Sequence, residues 1–239
     1  MNTKFRFKKE DRIIVLTGAG ISAESGLKTF RDHNGLWEEH RVEEVATPQA
    51  FQKNPEMVWR FYKQRYFQLD EVKPNSGHYA LKELEEYLGK NFFIITQNVD
   101  GLHRQAGNER VLEMHGSLQQ CFCSKCYAHF KMSEVDLEPA VPQCGSCGGT
   151  LRPDIVWFGE IPYFLDEIDR ILKKANYFLV VGTSGSVQPA ASLVYLAKRY
   201  GAATIGVNLA EPENMHYIDE FHKGRSGEIL PGLVEKWIG

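Results

Sequence analysis

Four short apolar runs, each followed by polar residues, predict the core strands of a parallel sheet. The runs are Ile13–Leu16, Phe92–Ile95, Phe178–Val181 and Thr204–Val207. Uninterrupted runs of this length are typical of strands that are buried on both faces. The loops that follow them lie at residues 17–20, 96–100, 182–184 and 208–210. Because the carboxyl ends of parallel strands meet at one edge of a sheet, we expect these loops to form a single ligand crevice.

Two segments interrupt this succession of strands. Residues from about 38 to 88 contain no convincing strand, and their pattern predicts helices at Pro48–Lys53, Pro55–Leu69 and Ser76–Leu88. Two of these begin with proline, which is favoured at the first position of a helix. The second interruption, residues 119–153, contains all the cysteines. The length of 239 residues fits one larger domain with a modest insertion.

Composition excludes several classes of protein. The net charge of −3 and the pI of about 6.3 give no sign of a surface for nucleic acid or acidic membranes. The first apolar run is too short for the core of a signal peptide. The longest uncharged segment, residues 175–197, is broken by glycine and proline, which disfavours a membrane span. We therefore expect a soluble, cytosolic protein.

A glycine-rich turn directly after the first strand is the most informative motif. Gly18, Gly20 and Ala23 complete the pattern G-x-G-x-x-A. Such a turn lets a pyrophosphate approach the backbone, with its charge against the N–H groups of the next helix. The usual fingerprint also has a second strand that ends in an acidic residue about 20 residues on, but residues 32–39 contain no strand. We infer a dinucleotide site unlike that of an ordinary dehydrogenase.

The cysteines predict a metal site, because they cluster in a chain expected in a reducing compartment. Two C-x2-C pairs, separated by 17 residues, predict a closed structural zinc site formed by Cys123, Cys126, Cys144 and Cys147. Cys121 is left over; its spacing to Cys126 is also allowed, but the tighter pair favours Cys123. Few basic residues lie between the pairs, which disfavours a zinc ribbon that binds nucleic acid.

Several polar and aromatic residues have a functional and a structural interpretation. His115 lies between the 96–100 loop and the cysteine module, and its side chain suits proton removal near neutral pH; the alternative is a structural histidine. For Asn98 and Asp100 the two interpretations are a helix cap and a ligand contact, and one residue can serve both. For Phe30 they are a cover over a planar ring of a ligand and packing in the core. Tyr62 and Arg65, at i and i+3, project from one helix face, where a half-buried Tyr beside a solvated Arg is the simpler interpretation.

Taken together, these motifs resemble the sirtuin family of NAD-dependent protein lysine deacylases. The similarity spans essentially the full chain and includes segments 18–22, 29–31, 96–103, 115–116, both cysteine pairs, 156–160, 182–184, 187–189 and Asn208. It implies an α/β fold in which a Rossmann-like large lobe with a parallel sheet is formed by about 1–37, 89–118 and 154–239. The small lobe would combine a helical insertion at about 38–88 with the zinc module at about 119–153. NAD and substrate would meet in the cleft between the lobes.

The resemblance also implies roles for individual residues. His115 would be the general base that acts on the nicotinamide ribose, with Asn98 as a second catalytic residue, and Phe30 would shield the cleaved glycosidic bond. NAD would contact Gly18, Ala19, Gly20, Ser22, Ala23, Thr29, Phe30, Arg31, Trp37, Gln97, Asn98, Val99, Asp100, Gly182, Thr183, Ser184, Asn208, Leu209, Ala210 and Ser226. The substrate peptide would lie along a strand-like edge made by Val156, Trp157, Phe158 and Gly159, and beside Val187.

One departure from the family pattern points to a particular branch. The residue before Phe30 is usually acidic, and here it is Thr29, as in the desuccinylase-type (class III) sirtuins of bacteria and mitochondria. That branch also has a small residue before Thr-Pro, here Ala46, and a pair equivalent to Tyr62 and Arg65. The chain would remove acetyl, succinyl or malonyl groups from protein lysines, acting as a monomer without nucleic-acid or membrane partners. The alternatives are a Rossmann oxidoreductase with a structural zinc and a zinc-dependent binding module.

Overall fold

The computed structural model describes residues 3–28, 36–37 and 40–239, with backbone only at 36 and 37. Its strands are β1 Ile13–Thr17, β2 Leu36–Trp37, β3 His40–Arg41, β4 Phe92–Thr96, β5 Val111–Glu113, β6 Gly116–Cys123, β7 His129–Lys131, β8 Leu151–Ile155, β9 Tyr177–Val181, β10 Ala203–Asn208 and β11 Glu220–Lys223. Its helices are α1 Ala19–Ser22, α2 Val42–Val45, α3 Pro48–Lys53, α4 Pro55–Gln68, α5 Ser76–Leu88, α6 Leu102–Gln105, α7 Leu165–Leu172, α8 Leu193–Arg199 and α9 Ser226–Ile238.

Six strands form a parallel sheet in the order β11-β10-β9-β1-β4-β5. The four predicted core strands, now β1, β4, β9 and β10, are confirmed, and each is one or two residues longer than expected. The edge strands β5 and β11 were not predicted, because β5 has three residues and β11 has a largely polar sequence. The order reverses at β1, which pairs with β4 on one side and β9 on the other. A ligand crevice is expected at such a reversal point in a Rossmann-like sheet.

Helices cover both faces of this sheet. Since successive residues of a strand point to opposite faces, each strand contributes apolar side chains to two separate clusters. Ile13 and Val15 of β1 pack in one apolar cluster with residues of α5 and α9, and that cluster includes Trp237. Ile14 and Leu16 pack in a second cluster with residues of α7 and α8. These four residues of β1 are each at most 1% exposed. The sheet therefore has the two-sided core that its uninterrupted apolar strands predicted.

A second, three-stranded antiparallel sheet, β7-β6-β8, lies beside α4. The indole Nε1 of Trp59 on α4 donates a hydrogen bond of 2.8 Å to the carbonyl of Leu151 on β8. The predicted helices are confirmed as α3, α4 and α5, with α4 ending one residue early. Thr47 and Asn54 cap α3 and α4 by accepting backbone N–H groups over 3.1 Å, as expected of these residue types before a proline.

Two details of the sequence analysis need correction. Residues 32–39 and 38–88 were expected to lack strands, but β2 and β3, of two residues each, pair antiparallel. This pair is not part of the six-stranded sheet. Helix α5 packs against α9 and the large sheet, so we place α5 with the large lobe; the division into two lobes otherwise remains our prediction. Among the described residues, no helix combines the length and apolar character needed to cross a bilayer.

Candidate active site and zinc centre

The glycine-rich turn after β1 packs directly against the loop after β9. The backbone N–H of Gly20 donates a hydrogen bond of 2.8 Å to the carbonyl of Gly182. A Cβ on Gly20 would lie 2.7 Å from the Gly182 Cα, which is too close for any side chain. Gly182 itself has φ +62°, a conformation that favours glycine. These glycines therefore allow two loops of the crevice to touch, in addition to the expected approach of a pyrophosphate.

Three buried polar side chains, one from α1 and two from the loop after β4, form one hydrogen-bonded group. The Ser22 hydroxyl donates to the Asp100 carboxylate over 2.7 Å, and the Asn98 amide donates to Ser22 over 3.0 Å. Asp100 also accepts the backbone N–H of Leu102 at the start of α6 over 2.9 Å, although Gly101, not Asp100, occupies the N-cap position of this helix. Burial raises the pKa of Asp100 above its usual value. The fold thus brings three predicted NAD contacts together, although they come from a helix and a loop far apart in the chain.

Hydrogen bonds also connect the loops after β4, β9 and β10. The Gln97 side-chain amide donates to the Thr183 hydroxyl over 3.1 Å, and the Asn208 amide donates to the Thr183 carbonyl over 2.8 Å. The backbone N–H of Gln97 donates to the Thr17 carbonyl over 3.0 Å. The four predicted loops therefore meet at one edge of the sheet, as the apolar pattern indicated.

The remaining predicted NAD contacts differ in exposure. Gly18 and Ser226 are buried, Ala19, Val99 and Ser184 are half-buried, and Ala23, Leu209 and Ala210 are exposed. Thr29, Phe30 and Arg31 lie outside the described residues, as does the side chain of Trp37. Their assignment stays a prediction.

His115 lies between β5 and β6, against the loop that follows β4. Its Nδ1–H donates a hydrogen bond of 3.1 Å to the carbonyl of Gln97. A carbonyl oxygen only accepts, so this contact assigns the proton to Nδ1 and leaves Nε2 with a lone pair. Burial lowers the pKa of His115 below its ordinary value of 6.5. The ring is therefore neutral near pH 7 and ready to accept a proton at Nε2.

The predicted peptide edge follows β8 and uses part of its own backbone internally. The N–H of Val156 donates to the His115 carbonyl over 2.9 Å, and the N–H of Phe158 donates to the Ala46 carbonyl over 2.9 Å. Between them, the N–H of Trp157 donates to the Glu160 carboxylate over 2.8 Å. These three N–H groups are therefore already hydrogen-bonded within the chain. The prediction that this edge binds a substrate peptide then applies to its carbonyl groups and to the N–H of Gly159. Phe158 and Gly159 are exposed, whereas Val156 and Val187 are half-buried.

The helix pair Tyr62 and Arg65 is not a solvated surface pair. Tyr62 is fully buried, and its hydroxyl accepts a hydrogen bond of 2.9 Å from the indole Nε1 of Trp157. The guanidinium carbon of Arg65 lies 5.0 Å from the ring centre of Phe61, and Arg65 is half-buried. Ala46 is buried in the same apolar cluster as Tyr62 and Trp157. The three residues predicted to select the acyl group therefore lie in or against one apolar cluster, since Phe61 also belongs to it.

The four cysteines of the two C-x2-C pairs converge in space. Their sulfur atoms all lie within 4.8 Å of one another, with 3.5 Å between those of Cys123 and Cys147 and 3.8 Å between those of Cys126 and Cys144. A zinc ion bound at about 2.3 Å to four thiolates places them about 3.8 Å apart, so the set fits tetrahedral zinc. The backbone N–H groups of Cys126 and Lys125 point at the Cys123 sulfur and lower the pKa of this thiol.

Cys121 has a different environment. It is fully buried in the apolar cluster around Trp59 and Met132, and burial raises the pKa of its thiol to about 12. It is not part of the group of sulfur atoms that could hold a metal. This confirms the choice of Cys123 over Cys121 as the first ligand.

Sequence reasoning missed a buried polar network below the crevice. The Thr17 hydroxyl lies 2.8 Å from that of Thr96 and 2.9 Å from Nε2 of His103. The His103 ring lies 4.9 Å from that of His78, and both rings are almost fully buried. The only sequence signal is polar residues at the carboxyl ends of β1 and β4, and it does not reveal which distant histidines join them.

Comparison with known proteins identifies the family of this chain. The model of the family described as "Sir2 family" matches residues 18–189. A relative from Bdellovibrio bacteriovorus, named NAD-dependent protein deacylase, is 48% identical over 229 residues, which cover 95% of this chain and 96% of the relative. The chain therefore belongs to the Sir2 family, which is the sirtuin family that its motifs indicated.

Two solved structures show what similar proteins bind. A mutant Sir2 homologue in complex with 2'-O-acetyl ADP ribose superimposes with a TM-score of 0.88 at 43% identity, covering 95% of this chain and 92% of the other. A structure described as a complex of Sir2, p53 peptide and NAD+ gives a TM-score of 0.83 at 32% identity, covering 94% and 92%. The likeness extends over both the large sheet and the cysteine module, since nearly the whole chain is covered.

Proposed function

We propose that this chain is an NAD-dependent protein-lysine deacylase that transfers the acyl group of a modified lysine to ADP-ribose and releases nicotinamide. Membership of the Sir2 family supports this activity, as does the name of the relative from Bdellovibrio bacteriovorus. The complex of a homologue with 2'-O-acetyl ADP ribose fits the expected product class. The observation that carries the proposal is the geometry of His115, whose Nδ1 is held by Gln97 while Nε2 keeps its lone pair.

The crevice at the carboxyl edge of the large sheet is the proposed NAD site. Its buried polar group, Ser22, Asn98 and Asp100, offers hydroxyl, amide and carboxylate groups to the nicotinamide and ribose end. Thr183 and Asn208 lie at the ends of β9 and β10, where the adenosine half would bind. When bound, NAD supplies an electrophilic ribose carbon and a leaving nicotinamide, and the acyl-lysine oxygen is the nucleophile.

His115 would act as the general base that removes a proton from a ribose hydroxyl. Its neutral state follows from burial, which lowers its pKa, and its orientation follows from the Gln97 carbonyl. Because Nδ1 keeps its proton, Nε2 is the atom that accepts one. The backbone carbonyl of His115 is also bonded to Val156, which ties the base to the segment beside which the substrate would lie.

The acyl group would enter a pocket near Tyr62, Arg65 and Ala46, and we propose that succinyl and malonyl groups are accepted as well as acetyl. A terminal carboxylate cannot be buried without compensation. The Arg65 guanidinium and the Tyr62 hydroxyl would supply charge-assisted hydrogen bonds to it. The small side chain of Ala46 would leave room for the extra atoms.

We expect zinc to stabilise the small lobe rather than to take part in the reaction, because four thiolate ligands leave no open position. A reducing compartment keeps these thiols available for zinc, so we propose that the enzyme acts in the cytoplasm. We also propose that it acts as a monomer, on acyl-lysine segments of proteins. The complex of a relative with a p53 peptide and NAD+ supports a peptide substrate.

A panel of peptides that carry acetyl-, succinyl- or malonyl-lysine, incubated with NAD and read by mass spectrometry, tests this proposal. We expect free lysine peptide and nicotinamide to appear together, with no rise in NADH absorbance. NADH formation without release of nicotinamide would indicate an oxidoreductase. Bound zinc without any turnover of NAD would indicate a binding module.

A further inference from the structure

We propose that Trp157 is a positioning residue that sets acyl selectivity by orienting the hydroxyl of Tyr62. The inference rests on the proposed acyl pocket and deepens it. Trp157 was expected only as part of the peptide edge, but its indole points away from that edge into the core of the small lobe, where it is 2% exposed. There its Nε1 donates a hydrogen bond of 2.9 Å to the Tyr62 hydroxyl.

The direction of this hydrogen bond is fixed by chemistry. An indole N–H can only donate, whereas a phenol hydroxyl has one proton to donate and lone pairs that accept. Because Trp157 donates to the Tyr62 oxygen, the proton of Tyr62 must point away from Trp157. Accepting one hydrogen bond also polarises a hydroxyl and strengthens its own donation. Tyr62 is therefore prepared as a donor, and a donor favours a carboxylate over the methyl group of an acetyl.

The indole is itself held in place by an ion pair. Arg152 stacks on Trp157 with its guanidinium carbon 3.6 Å from the ring centre. Arg152 also makes a two-pronged salt bridge to Glu160, with distances of 2.8 and 2.9 Å. Glu160 in turn accepts the backbone N–H of Trp157 over 2.8 Å. The Arg152–Glu160 ion pair thus holds both the side chain and the backbone of Trp157. The indole N–H is therefore fixed in the direction of Tyr62.

The residues on either side of Trp157 connect it to the rest of the site. The N–H of Val156 donates to the carbonyl of His115, and the N–H of Phe158 donates to the carbonyl of Ala46. Three consecutive residues therefore each contact a different part of the proposed site: the base His115, the pocket tyrosine Tyr62 and the small pocket residue Ala46. If Trp157 is purely structural, replacing it should lower the activities toward acetyl and acidic acyl groups equally. If it orients Tyr62, replacing it should lower the activity toward succinyl and malonyl groups more than toward acetyl.

The test compares kcat and KM for a succinyl-lysine and an acetyl-lysine peptide of the same sequence. We expect Trp157→Phe to lower the succinyl-to-acetyl ratio of kcat/KM by about three- to tenfold, the usual effect of one hydrogen bond, and mainly through KM. Trp59→Phe is the matched control, because it also removes a buried indole N–H, in this case from the Leu151 carbonyl. The control should leave the ratio unchanged.

A double-mutant cycle separates orientation from packing. In a Tyr62→Phe background, Trp157→Phe should cause no further loss of the ratio, since the hydroxyl to be oriented is gone. Replacing Trp157 by 3-benzothienylalanine, which has a similar shape but no N–H, should lower the ratio as Trp157→Phe does, and it serves if Trp157→Phe fails to fold. An unchanged ratio with this isostere would overturn the inference.

Failure of this inference can be told apart from failure of the acyl pocket. If Arg65→Met loses succinyl activity selectively while neither Trp157 variant changes the ratio, the pocket stands and the role of Trp157 is overturned. If Arg65→Met lowers both activities equally, the pocket itself is wrong, and the orienting role is overturned with it.

Discussion

The carbonyl oxygen of Gln97 lies 3.1 Å from Nδ1 of His115 and holds the proton of the ring on that nitrogen. This contact joins the loop after β4 to the turn between β5 and β6. It selects the tautomer in which Nε2 is basic, and burial keeps the ring neutral by lowering its pKa. The sequence places a histidine near the crevice, and the structure gives that histidine an orientation and a protonation state.

Replacing His115 by alanine should abolish deacylation while NAD still binds. Loss of a general base typically costs about 10²- to 10⁴-fold in rate, and the polar group of Ser22, Asn98 and Asp100 does not depend on the histidine. Peptide turnover and NAD affinity, measured by calorimetry, check both parts. Activity above about a tenth of the wild type would show that His115 is not the base.

Replacing Cys144 and Cys147 by serine should release zinc and unfold the small lobe, because binding of a structural zinc and folding are coupled. Cys121→Ala should keep one zinc per chain, since Cys121 lies in an apolar cluster outside the sulfur group. Metal content by atomic emission and thermal unfolding check these outcomes. Loss of zinc from Cys121→Ala would require a different ligand set.

Arg65→Met should cut desuccinylation by about 30-fold or more, which corresponds to truncating one partner of a desolvated charge pair. Tyr62→Phe should cost less, because it removes a neutral donor. Deacetylation should change little, since an acetyl group has no carboxylate to pair. Kinetics with matched succinyl and acetyl peptides give the result, and an equal loss of both activities would make the pair a structural feature.

The sequence predicted the features that depend on local pattern. The apolar runs predicted the strands, Pro48 and Pro55 marked helix starts, and the cysteine spacing predicted the metal site. Contacts between residues far apart in the chain were not predictable in this way. Trp157 and Tyr62 are 95 positions apart, and nothing in either local pattern indicates that an indole N–H meets a phenol oxygen.

The two buried histidines below the crevice predict a loss of stability in mild acid. Burial lowers the pKa of His78 from 6.5 to about 4 and that of His103 well below 6.5. The unfolded chain therefore binds more protons than the folded chain below about pH 6.5. Stability is fully present above that pH and falls as the pH drops towards the folded pKa values.

Urea unfolding of the zinc-saturated protein at about pH 7.5 and about pH 5.5 measures this effect. His78 alone should contribute a loss on the order of 1 kcal/mol over this interval. His78→Gln keeps an acceptor for the backbone N–H of Asn75 and removes the titration, so its stability should depend less on pH. An identical pH dependence in both proteins would exclude His78 as the cause.

The most direct test of the account is the stoichiometry of products from one acyl-lysine peptide and NAD. We expect equal amounts of nicotinamide, deacylated peptide and O-acyl-ADP-ribose by mass spectrometry. In His115→Ala, deacylated peptide and O-acyl-ADP-ribose should form at least about 10²-fold more slowly, because the base acts on the ribose hydroxyl after nicotinamide has left. Release of the free acid with NAD left intact, or formation of NADH in place of nicotinamide, would contradict the proposed function.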